Sequence, residues 1–386
     1  MTKPMHSLYD LTFDELQATL AEWGEPAFRT RQIWEWLYVQ LTASYEAMTN
    51  LPKPLRDRLG AAYPIGRLTP KIDLLSADGW TRKILFALPD GSQIETVLME
   101  YDTRNTVCVS TQAGCAMGCT FCATGQGGFQ RNLTSGEIVE QVLFFDRELR
   151  QAERGNERQS DGETKRASLT PDSRSPIPAK RPSEADPRST DHRLTNVVLM
   201  GMGEPFANYS ALMGALNRLS DPIGYNFGAR RITVSTVGLV PMIERFTQER
   251  SQVNLAVSLH AATNELRASM LPINQRYPLE VLIPACRAYT EITHRRMSFE
   301  WALIAGINDT PAQARALGQL IKGMLCHINL IPLNPTHGYD GAASTRERIA
   351  TFRTILDEAH IANSLRVRRG IDIHAGCGQL KQAASA

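Results

Sequence analysis

The nine residues Gly114-Cys115-Ala116-Met117-Gly118-Cys119-Thr120-Phe121-Cys122 decide how the rest of the chain is interpreted. They place three cysteines within eight positions at CxxxCxxC spacing. The apolar run TVCVS at 106–110 comes before them, and a capping-box pattern from Thr134 to Glu137 comes after them. The loop therefore lies between a predicted strand and a predicted helix. A loop this short can present three thiolates to one metal centre.

Two kinds of metal centre commonly use cysteine thiolates, and the sequence favours one of them. A structural zinc site closes four tetrahedral positions, commonly with two separated ligand pairs. The chain has no second CxxC and no histidine between His6 and His192, so the fourth ligand is missing. A four-iron cluster on three cysteines leaves one iron open to a cofactor or substrate. We therefore predict a 4Fe-4S cluster on Cys115, Cys119 and Cys122.

Short apolar runs alternate with helical patterns from residue 106 onward. The predicted strands are 106–110, 195–201, 231–236, 253–260, 298–304 and 327–333. The predicted helices are 134–149, 208–219, 239–249, 278–292, 310–323 and 344–361. Six such alternations indicate an α/β fold with a parallel sheet and right-handed crossovers. The pattern alone is compatible with an open doubly wound sheet or a full or partial barrel, and in each case ligands bind at the carboxyl ends of the strands.

The segments outside this alternation differ from it in composition and in the structure that they predict. Residues 1–90 carry four of the five tryptophans and two or three short helical patterns, so they predict a small helical domain with Trp34 and Trp36 in its core. From residue 81, two β-rich runs around Pro89-Asp90-Gly91 predict a β-hairpin extension. Residues 151–192 are rich in proline and charge and have no aromatic residue, which predicts a disordered surface insertion.

Composition and charge exclude several classes of protein. The 386 residues are 42% hydrophobic with a mean hydropathy of −0.25, which excludes wholesale disorder and a membrane bundle. No stretch approaches a membrane span and the first residues lack a secretory pattern, so we expect a cytoplasmic protein. Because 42 basic residues face 40 acidic ones, a polyanion-binding surface must be local. The candidate is 53–83, with seven basic and three acidic side chains.

CxxxCxxC on the first strand-to-helix loop resembles the signature of the radical S-adenosylmethionine (SAM) enzymes. Six further segments resemble the RlmN and Cfr branch of RNA adenine methyltransferases, most closely its RlmN side. They lie at 93–132 around the cysteines, 200–205 (MGMGEP), 233–239 (TVSTVGL), 256–262 (AVSLHAA), 328–335 (INLIPLNP) and 369–380 (RGIDIHAGCGQL). The resemblance covers the whole chain except 151–192. It implies a partial (βα)6 barrel over 91–375, an RNA-binding accessory domain at 1–90 and a C-terminal segment at 370–386.

The same resemblance implies a radical mechanism with three catalytic residues. The open iron would bind SAM and pass it an electron, which cleaves it to methionine and a 5′-deoxyadenosyl radical. Cys377, which lies between two glycines, would carry a methyl group from one SAM, and the radical from a second SAM would activate that group for addition to adenine C2. Glu95 would accept the C2 proton. Cys108 would resolve the protein–RNA thioether through a transient disulfide.

The remaining implied contacts and partners follow from the family. The cofactor-binding residues would be Gly203, Glu204, Ser235, Ser258, Leu259, His260 and Asn334, all near strand ends. Glu204 would accept a hydrogen bond from the SAM ammonium, and His260 would act mainly through its backbone. The substrates would be 23S rRNA and the adenosine beside the tRNA anticodon. A flavodoxin or ferredoxin would deliver electrons to a monomeric enzyme.

Three alternatives remain open at this point. One is Cfr-type methylation of adenine C8, which uses the same cysteine set. Another is an iron-sulfur or zinc module that binds RNA or carries electrons without catalysis. A third is a sulfur-inserting radical enzyme, which would need an auxiliary cluster. Cys286 and Cys326 lack compact ligand spacing and are predicted to be ordinary buried thiols.

Overall fold

The computed structural model describes residues 6–160, 193–336 and 338–381. The helices in these ranges are α1 (Phe13–Glu22), α2 (Phe28–Tyr38), α3 (Lys53–Ala62), α4 (Ala123–Gln126), α5 (Ser135–Ser160), α6 (Tyr209–Ser220), α7 (Val240–Gln248), α8 (Asn264–Met270), α9 (Leu279–Thr293), α10 (Pro311–Leu320) and α11 (Arg346–Glu358). The strands are β1 (Thr69–Leu75), β2 (Thr81–Ala87), β3 (Gln93–Tyr101), β4 (Arg104–Cys108), β5 (Gln112–Gly114), β6 (Phe129–Asn132), β7 (Asn196–Leu199), β8 (Ile232–Thr236), β9 (Asn254–Ser258), β10 (Met297–Leu303), β11 (Cys326–Pro332) and β12 (Asn363–Leu365).

Ten strands form one sheet in the order β1-β2-β3-β4-β7-β8-β9-β10-β11-β12. From β4 to β12 every neighbouring pair is parallel. Strand order follows chain order with no reversal, whereas a doubly wound sheet reverses direction at a switch point. The sheet is open, because β1 and β12 do not pair with each other. The predicted partial barrel is therefore confirmed, and β12 adds a short parallel edge strand that the sequence pattern did not predict.

Local capping determines where the long helix after the cysteine loop begins. The Thr134 hydroxyl accepts a hydrogen bond from the Glu137 amide at 3.1 Å, and the Glu137 carboxylate accepts one from the Thr134 amide at 2.9 Å. This reciprocal pair is the capping box that the sequence predicted. It starts α5 one residue later, at Ser135.

The amino-terminal helices cover less of the chain than predicted. They end at Ala62, and β1 and β2 belong to the main sheet, so the helical part does not extend to residue 90. The strand β1 was not predicted, because all seven of its residues are exposed and it lacks the nearly continuous apolar run of the buried strands. The predicted hairpin is confirmed, because β2 and β3 pair antiparallel on either side of the turn at Gly91.

Trp34 packs among the amino-terminal helices and also joins them to the barrel. Trp34 is buried and stacks edge-on against Phe13 with ring centroids 5.5 Å apart. Its indole nitrogen donates to the Asp221 carboxylate, just after α6, at 2.7 Å. The predicted core role of Trp34 is therefore confirmed. Trp36 is only partly buried and donates to the Asn50 side chain.

The first ten residues of the predicted disordered insertion are helical, because α5 continues to Ser160. The helix α5 therefore extends further into this polar segment than its composition predicted. Residues 161–192 of that insertion lie outside the described residues. Although α5 has 26 residues, no helix within the described ranges combines the length and apolarity needed to cross a membrane.

Substitution of Gly114, at the end of β5, tests how tightly the loop that carries the three cysteines is held. Its φ is +73°, and a Cβ atom there would lie 2.0 Å from the Gly128 carbonyl oxygen. Gly91 also has a positive φ of +85°, but a Cβ atom there would meet nothing within 4 Å. Gly114→Ala therefore adds a steric clash to the backbone strain that Gly91→Ala introduces alone. We expect Gly91→Ala to lower the free energy of unfolding by about 1 kcal/mol and Gly114→Ala by clearly more. Urea titration measures the free energy of unfolding of both variants. Equal losses would contradict the predicted clash at Gly114.

Candidate active site

The cysteine loop (residues 115–122) connects β5 to the short helix α4. Its backbone is fixed at two points, because the Cys115 amide donates to the Gly128 carbonyl at 2.8 Å and the Thr120 amide donates to the Met270 carbonyl at 3.1 Å. Cys115 is buried, whereas Cys119 and Cys122 are partly exposed. All three cysteines line a single cavity at the carboxyl ends of the barrel strands.

The chemistry of these thiols fits a large, positively charged centre. Burial raises the pKa of Cys115 to about 12 and holds the pKa of Cys119 well above its usual range. Metal binding reverses this preference, because a bound cation stabilises the thiolate. Among the described residues, no group of three or more His, Cys, Asp or Glu side chains is arranged to hold a single metal ion. A four-iron cluster takes each thiolate at a separate iron, so three sulfurs around a wider cavity suit it better than a closed zinc site.

The same cavity brings together most of the predicted cofactor contacts. They surround it from the ends of the three strands β7, β8 and β9 and from the segment after β11. The lining includes Gly203, Glu204, Ser235, Ser258, His260 and Asn334, together with Cys377. Leu259 is the exception, because its side chain is fully buried and is not part of the lining. Residues that are far apart in sequence thus share one site beside the cysteine loop.

Gly203 and Glu204 form a tight corner after β7. Gly203 has a φ of +99°, and a Cβ atom there would lie 2.5 Å from the Gln112 Cβ, so only glycine fits. The two carboxylate oxygens of Glu204 accept backbone amides, from Phe206 at 3.0 Å and from Val237 at 2.8 Å. Burial raises the pKa of Glu204 to about 7. Glu204 therefore links the segments that follow β7 and β8.

Arg267 of α8 supports the neighbouring strand ends and was not found from the sequence. It is fully buried. Its guanidinium donates to the Val237 carbonyl at 2.7 Å, the Leu259 carbonyl at 3.2 Å and the Asn274 side chain at 2.9 Å. Burial lowers the pKa of Arg267 to about 10. No sequence signal marks it, because arginine in a short helix is ordinarily a surface residue.

His260 uses its ring as well as its backbone. Its Nδ1 accepts the Ala302 amide at 2.9 Å, and its ring packs edge-on against Phe121 at 5.0 Å. Its carbonyl oxygen accepts the Asn308 side-chain amide at 2.7 Å. Burial lowers the pKa of His260 to about 3, so the ring is neutral. The ring therefore links the ends of β9 and β10 beside the cysteine loop.

Several hydrogen bonds hold the C-terminal segment, and with it Cys377, at the cavity. The Asn334 side-chain amide donates to the Cys377 carbonyl at 3.1 Å, and the first amide of α4, at Ala123, donates to the Gly378 carbonyl at 2.8 Å. The Lys381 amide donates to the Glu95 carboxylate at 2.9 Å. These contacts tie the segment to β11, to the cysteine loop and to β3.

Cys377 lies where two cavities meet. It is exposed and lines both the cavity of the cysteine loop and a second cavity, which also holds Cys108. Both are free thiols. Burial, and to a lesser extent the neighbouring Cys377, raises the pKa of Cys108 to about 12, whereas Arg366 acts in the opposite direction. A guanidinium nitrogen of Arg366 lies 3.8 Å from the Cys377 sulfur. Sequence reasoning missed Arg366, which belongs to no recognised motif.

Glu95 lines a third cavity, beside the other face of the C-terminal segment. Its carboxylate is buried and pairs with the Lys83 ammonium at 2.7 Å. Lys83 also donates to the His374 carbonyl at 3.1 Å. Lys83 was part of the predicted basic RNA-binding stretch, and its burial removes it from that surface. The rest of the 53–83 stretch stays a prediction.

Comparison with known proteins identifies a matching family profile, related sequences and a similar solved structure. A family profile described as "Ribosomal RNA large subunit methyltransferase N-terminal domain" matches residues 6–65. "Probable dual-specificity RNA methyltransferase RlmN" of Roseiflexus castenholzii is 47% identical over 97% of this chain and 95% of its own length. "Dual-specificity RNA methyltransferase RlmN 1" of Myxococcus xanthus is 45% identical over 97% of this chain and 94% of its own length. A solved radical SAM methyltransferase from Sphaerobacter thermophilus superposes with a TM-score of 0.85 and 48% identity, covering 97% of this chain and 99% of that one.

The open barrel with its cysteine loop, together with this superposition, defines the class of radical SAM methyltransferases. Such enzymes use a 4Fe-4S cluster and SAM. Within that class, identity of 45 to 47% over nearly the whole length shows that the chain belongs to the RlmN family of RNA methyltransferases.

His260 gives the site a pH dependence that can be tested. Its ordinary pKa is near 6.5 and its pKa in the fold is about 3, so below pH 6.5 the unfolded chain binds the proton more readily. Stability is therefore lost as the pH falls. Between pH 7 and pH 5 the loss is about 2 kcal/mol, at about 1.4 kcal/mol per pH unit below 6.5.

We expect His260→Asn to remove this part of the pH dependence. An asparagine oxygen can replace Nδ1 as acceptor, and asparagine tolerates the φ of +59° found there. His360→Asn is the matched control, because His360 is exposed and has a φ of +55°. Urea titrations of the cluster-free proteins at both pH values measure the difference. The same pH dependence in native protein and His260→Asn would contradict this prediction.

Proposed function

We propose that this member of the RlmN family methylates C2 of an adenosine in 23S rRNA and C2 of the adenosine 3′ of the tRNA anticodon. Its relatives are named dual-specificity RNA methyltransferases, and RNA methylation with SAM follows from family membership. The observation that carries the proposed mechanism is the position of Cys377. It lines both the cavity of the cysteine loop, which we call the cofactor cavity, and the second cavity, which holds Cys108. We further propose a monomeric cytoplasmic enzyme that receives electrons from a flavodoxin or ferredoxin.

In this proposal Cys115, Cys119 and Cys122 would hold a 4Fe-4S cluster at the cavity that they line. The cluster would supply the electron that cleaves SAM, and SAM would supply a 5′-deoxyadenosyl radical. The chain itself binds and orients SAM and excludes water. Gly203 and Glu204 lie next to the cysteine loop and suit the amino-acid end of SAM. The nucleoside end of SAM would lie against Ser235, Ser258, His260 and Asn334. Leu259 lies behind this part of the cavity lining.

Cys377 carries the methyl group in two steps. Its thiolate displaces S-adenosylhomocysteine from one SAM, so that a carbon–sulfur bond forms on the protein as the sulfonium bond breaks. A hydrogen atom then leaves the S-methyl group for the 5′-deoxyadenosyl radical of a second SAM. The resulting methylene radical on Cys377 adds to adenine C2, an electron-poor carbon with no acidic proton. The Arg366 guanidinium lies 3.8 Å from the sulfur that takes up the methyl group.

Glu95 and Cys108 complete the reaction. The adduct would return one electron to the cluster that was oxidised when SAM was cleaved, and Glu95 would take the C2 proton, which leaves a closed-shell thioether between protein and RNA. The Cys108 thiolate then attacks the Cys377 sulfur. A disulfide forms, and the electron pair of the broken bond stays with the methylene carbon, which is protonated to a methyl group. Two electrons from an external reductant later restore both thiols.

The geometry supports these roles in different degrees. Cys108 and Cys377 line one cavity, which supports disulfide formation between them. Glu95 contacts the same C-terminal segment, because its carboxylate accepts the Lys381 amide. The same carboxylate pairs with the Lys83 ammonium.

Cys377→Ala tests the carrier role. Without the thiol, we expect the cluster absorbance and 5′-deoxyadenosine release to persist while RNA methylation is abolished. The measurement is mass spectrometry of nucleosides from protein-free rRNA and tRNA after anaerobic reaction with SAM and reductant. Cys326→Ala is the control and should methylate RNA normally. Methylation by Cys377→Ala would refute the carrier role, and 8-methyladenosine from the native protein would replace C2 with the Cfr-type position.

Cys108→Ala tests the resolving role. The thioether cannot be released without the second thiol, so a covalent protein–RNA adduct should accumulate. Denaturing gel electrophoresis with radiolabelled RNA detects it, and nuclease treatment should return the protein to its original mobility. Cys286→Ala, a fully buried thiol outside both cavities, is the control and should show no adduct. Full turnover by Cys108→Ala without an adduct would overturn this assignment.

A further inference from the structure

We propose that Glu300 is an additional SAM-binding residue, whose carboxylate accepts hydrogen bonds from the hydroxyl groups of the SAM ribose. This inference rests on the proposed SAM site. It concerns a residue that belongs to no motif recognised in the sequence.

Glu300 lies in the middle of β10 and reaches the cofactor cavity from the barrel interior. It pairs in register with Ser258 of β9 and Asn329 of β11. It lines the same cavity as Ser258 and Asn334. Only 4% of the residue is exposed, yet its Oε2 atom has no hydrogen-bond partner. A buried carboxylate oxygen without a partner is costly, and a bound ligand with suitable donors removes that cost.

A chain of hydrogen bonds fixes the direction of this carboxylate. The Asn329 side-chain amide donates to the Glu300 Oε1 at 2.8 Å. The Asn329 side-chain oxygen in turn accepts the Ser364 hydroxyl at 3.0 Å, and that hydroxyl lies 2.8 Å from the His327 Nε2. With Oε1 held by Asn329, Oε2 is the oxygen left for a ligand. The site is therefore preorganised by residues of β11 and β12.

The ligand group that suits Oε2 is a pair of neutral hydroxyls. The amino-acid end of SAM belongs beside the cysteine loop and Gly203, at the end of β7, and β10 lies three strands further along the sheet. The ribose is the next part of SAM along that direction, and a carboxylate is a common acceptor for ribose hydroxyls in nucleotide-binding proteins. The Arg366 guanidinium acts on Glu300 electrostatically, but no ion pair joins them in the described part of the chain.

The experiment compares SAM with its 2′,3′-dideoxyribose analogue. Isothermal titration calorimetry uses cluster-reconstituted protein under anaerobic conditions without reductant, so that no turnover occurs. For the native protein, we expect the analogue to bind at least about tenfold more weakly than SAM, because hydrogen bonds to a charged acceptor are lost. In Glu300→Ala, SAM itself should bind more weakly. The ratio of the dissociation constant of the analogue to that of SAM should fall close to one. A ratio in Glu300→Ala equal to that of the native protein overturns the proposal.

Two further variants keep the test decisive. Glu300→Gln preserves the size of the side chain and the bond from Asn329, which places its NH2 group towards the cavity, so the ratio should be lower than in the native protein. An unchanged ratio in Glu300→Gln also overturns the proposal. Glu291→Ala, which removes an exposed carboxylate on α9, should keep the native ratio. Absence of SAM binding to the native protein would instead refute the proposed function, so the two failures are distinguishable.

Discussion

The close approach of two backbone segments, the end of β5 and the chain at Gly128, is the constraint on which the site depends. Gly114 has no side chain, and the Cys115 amide can therefore donate to the Gly128 carbonyl at 2.8 Å. That contact fixes the first cysteine at the start of the loop. The third cysteine is fixed at the other end, because it precedes α4, whose first amide is bonded to the Gly378 carbonyl. Backbone hydrogen bonds at both ends of the loop thereby help to hold the three thiols around one cavity.

Buried charge around this cavity is balanced mainly by backbone groups rather than by ion pairs. Glu204 accepts two backbone amides, and Arg267 donates to two backbone carbonyls. Such partners keep the strand ends in place without neutralising the cavity. Glu300 differs, because one of its oxygens has a side-chain partner and the other has none. A cavity with this distribution of charge suits a cationic cofactor that also carries hydroxyl groups.

Much of the architecture was predictable, because buried parallel strands give continuous apolar runs and their helices give amphipathic ones. The exposed strand β1 and the short strand β12 carry no such pattern. The cysteine spacing and the family motifs identified the residues that meet around the cofactor cavity. Arg267, Arg366 and Glu300 could not be found in this way. Their importance comes from burial and from partners distant in sequence, and a side chain's burial is a property of the assembled fold.

The attachment of the C-terminal segment has a consequence for biosynthesis. The segment from Cys377 to Lys381 contacts the cysteine loop, β11 and β3, all of which are translated before it. A nascent chain can therefore form the cysteine loop and the strands around it before the segment from Cys377 to Lys381 has been made. The order of translation thus leaves an interval in which the cysteine loop is accessible before Cys377 arrives beside it.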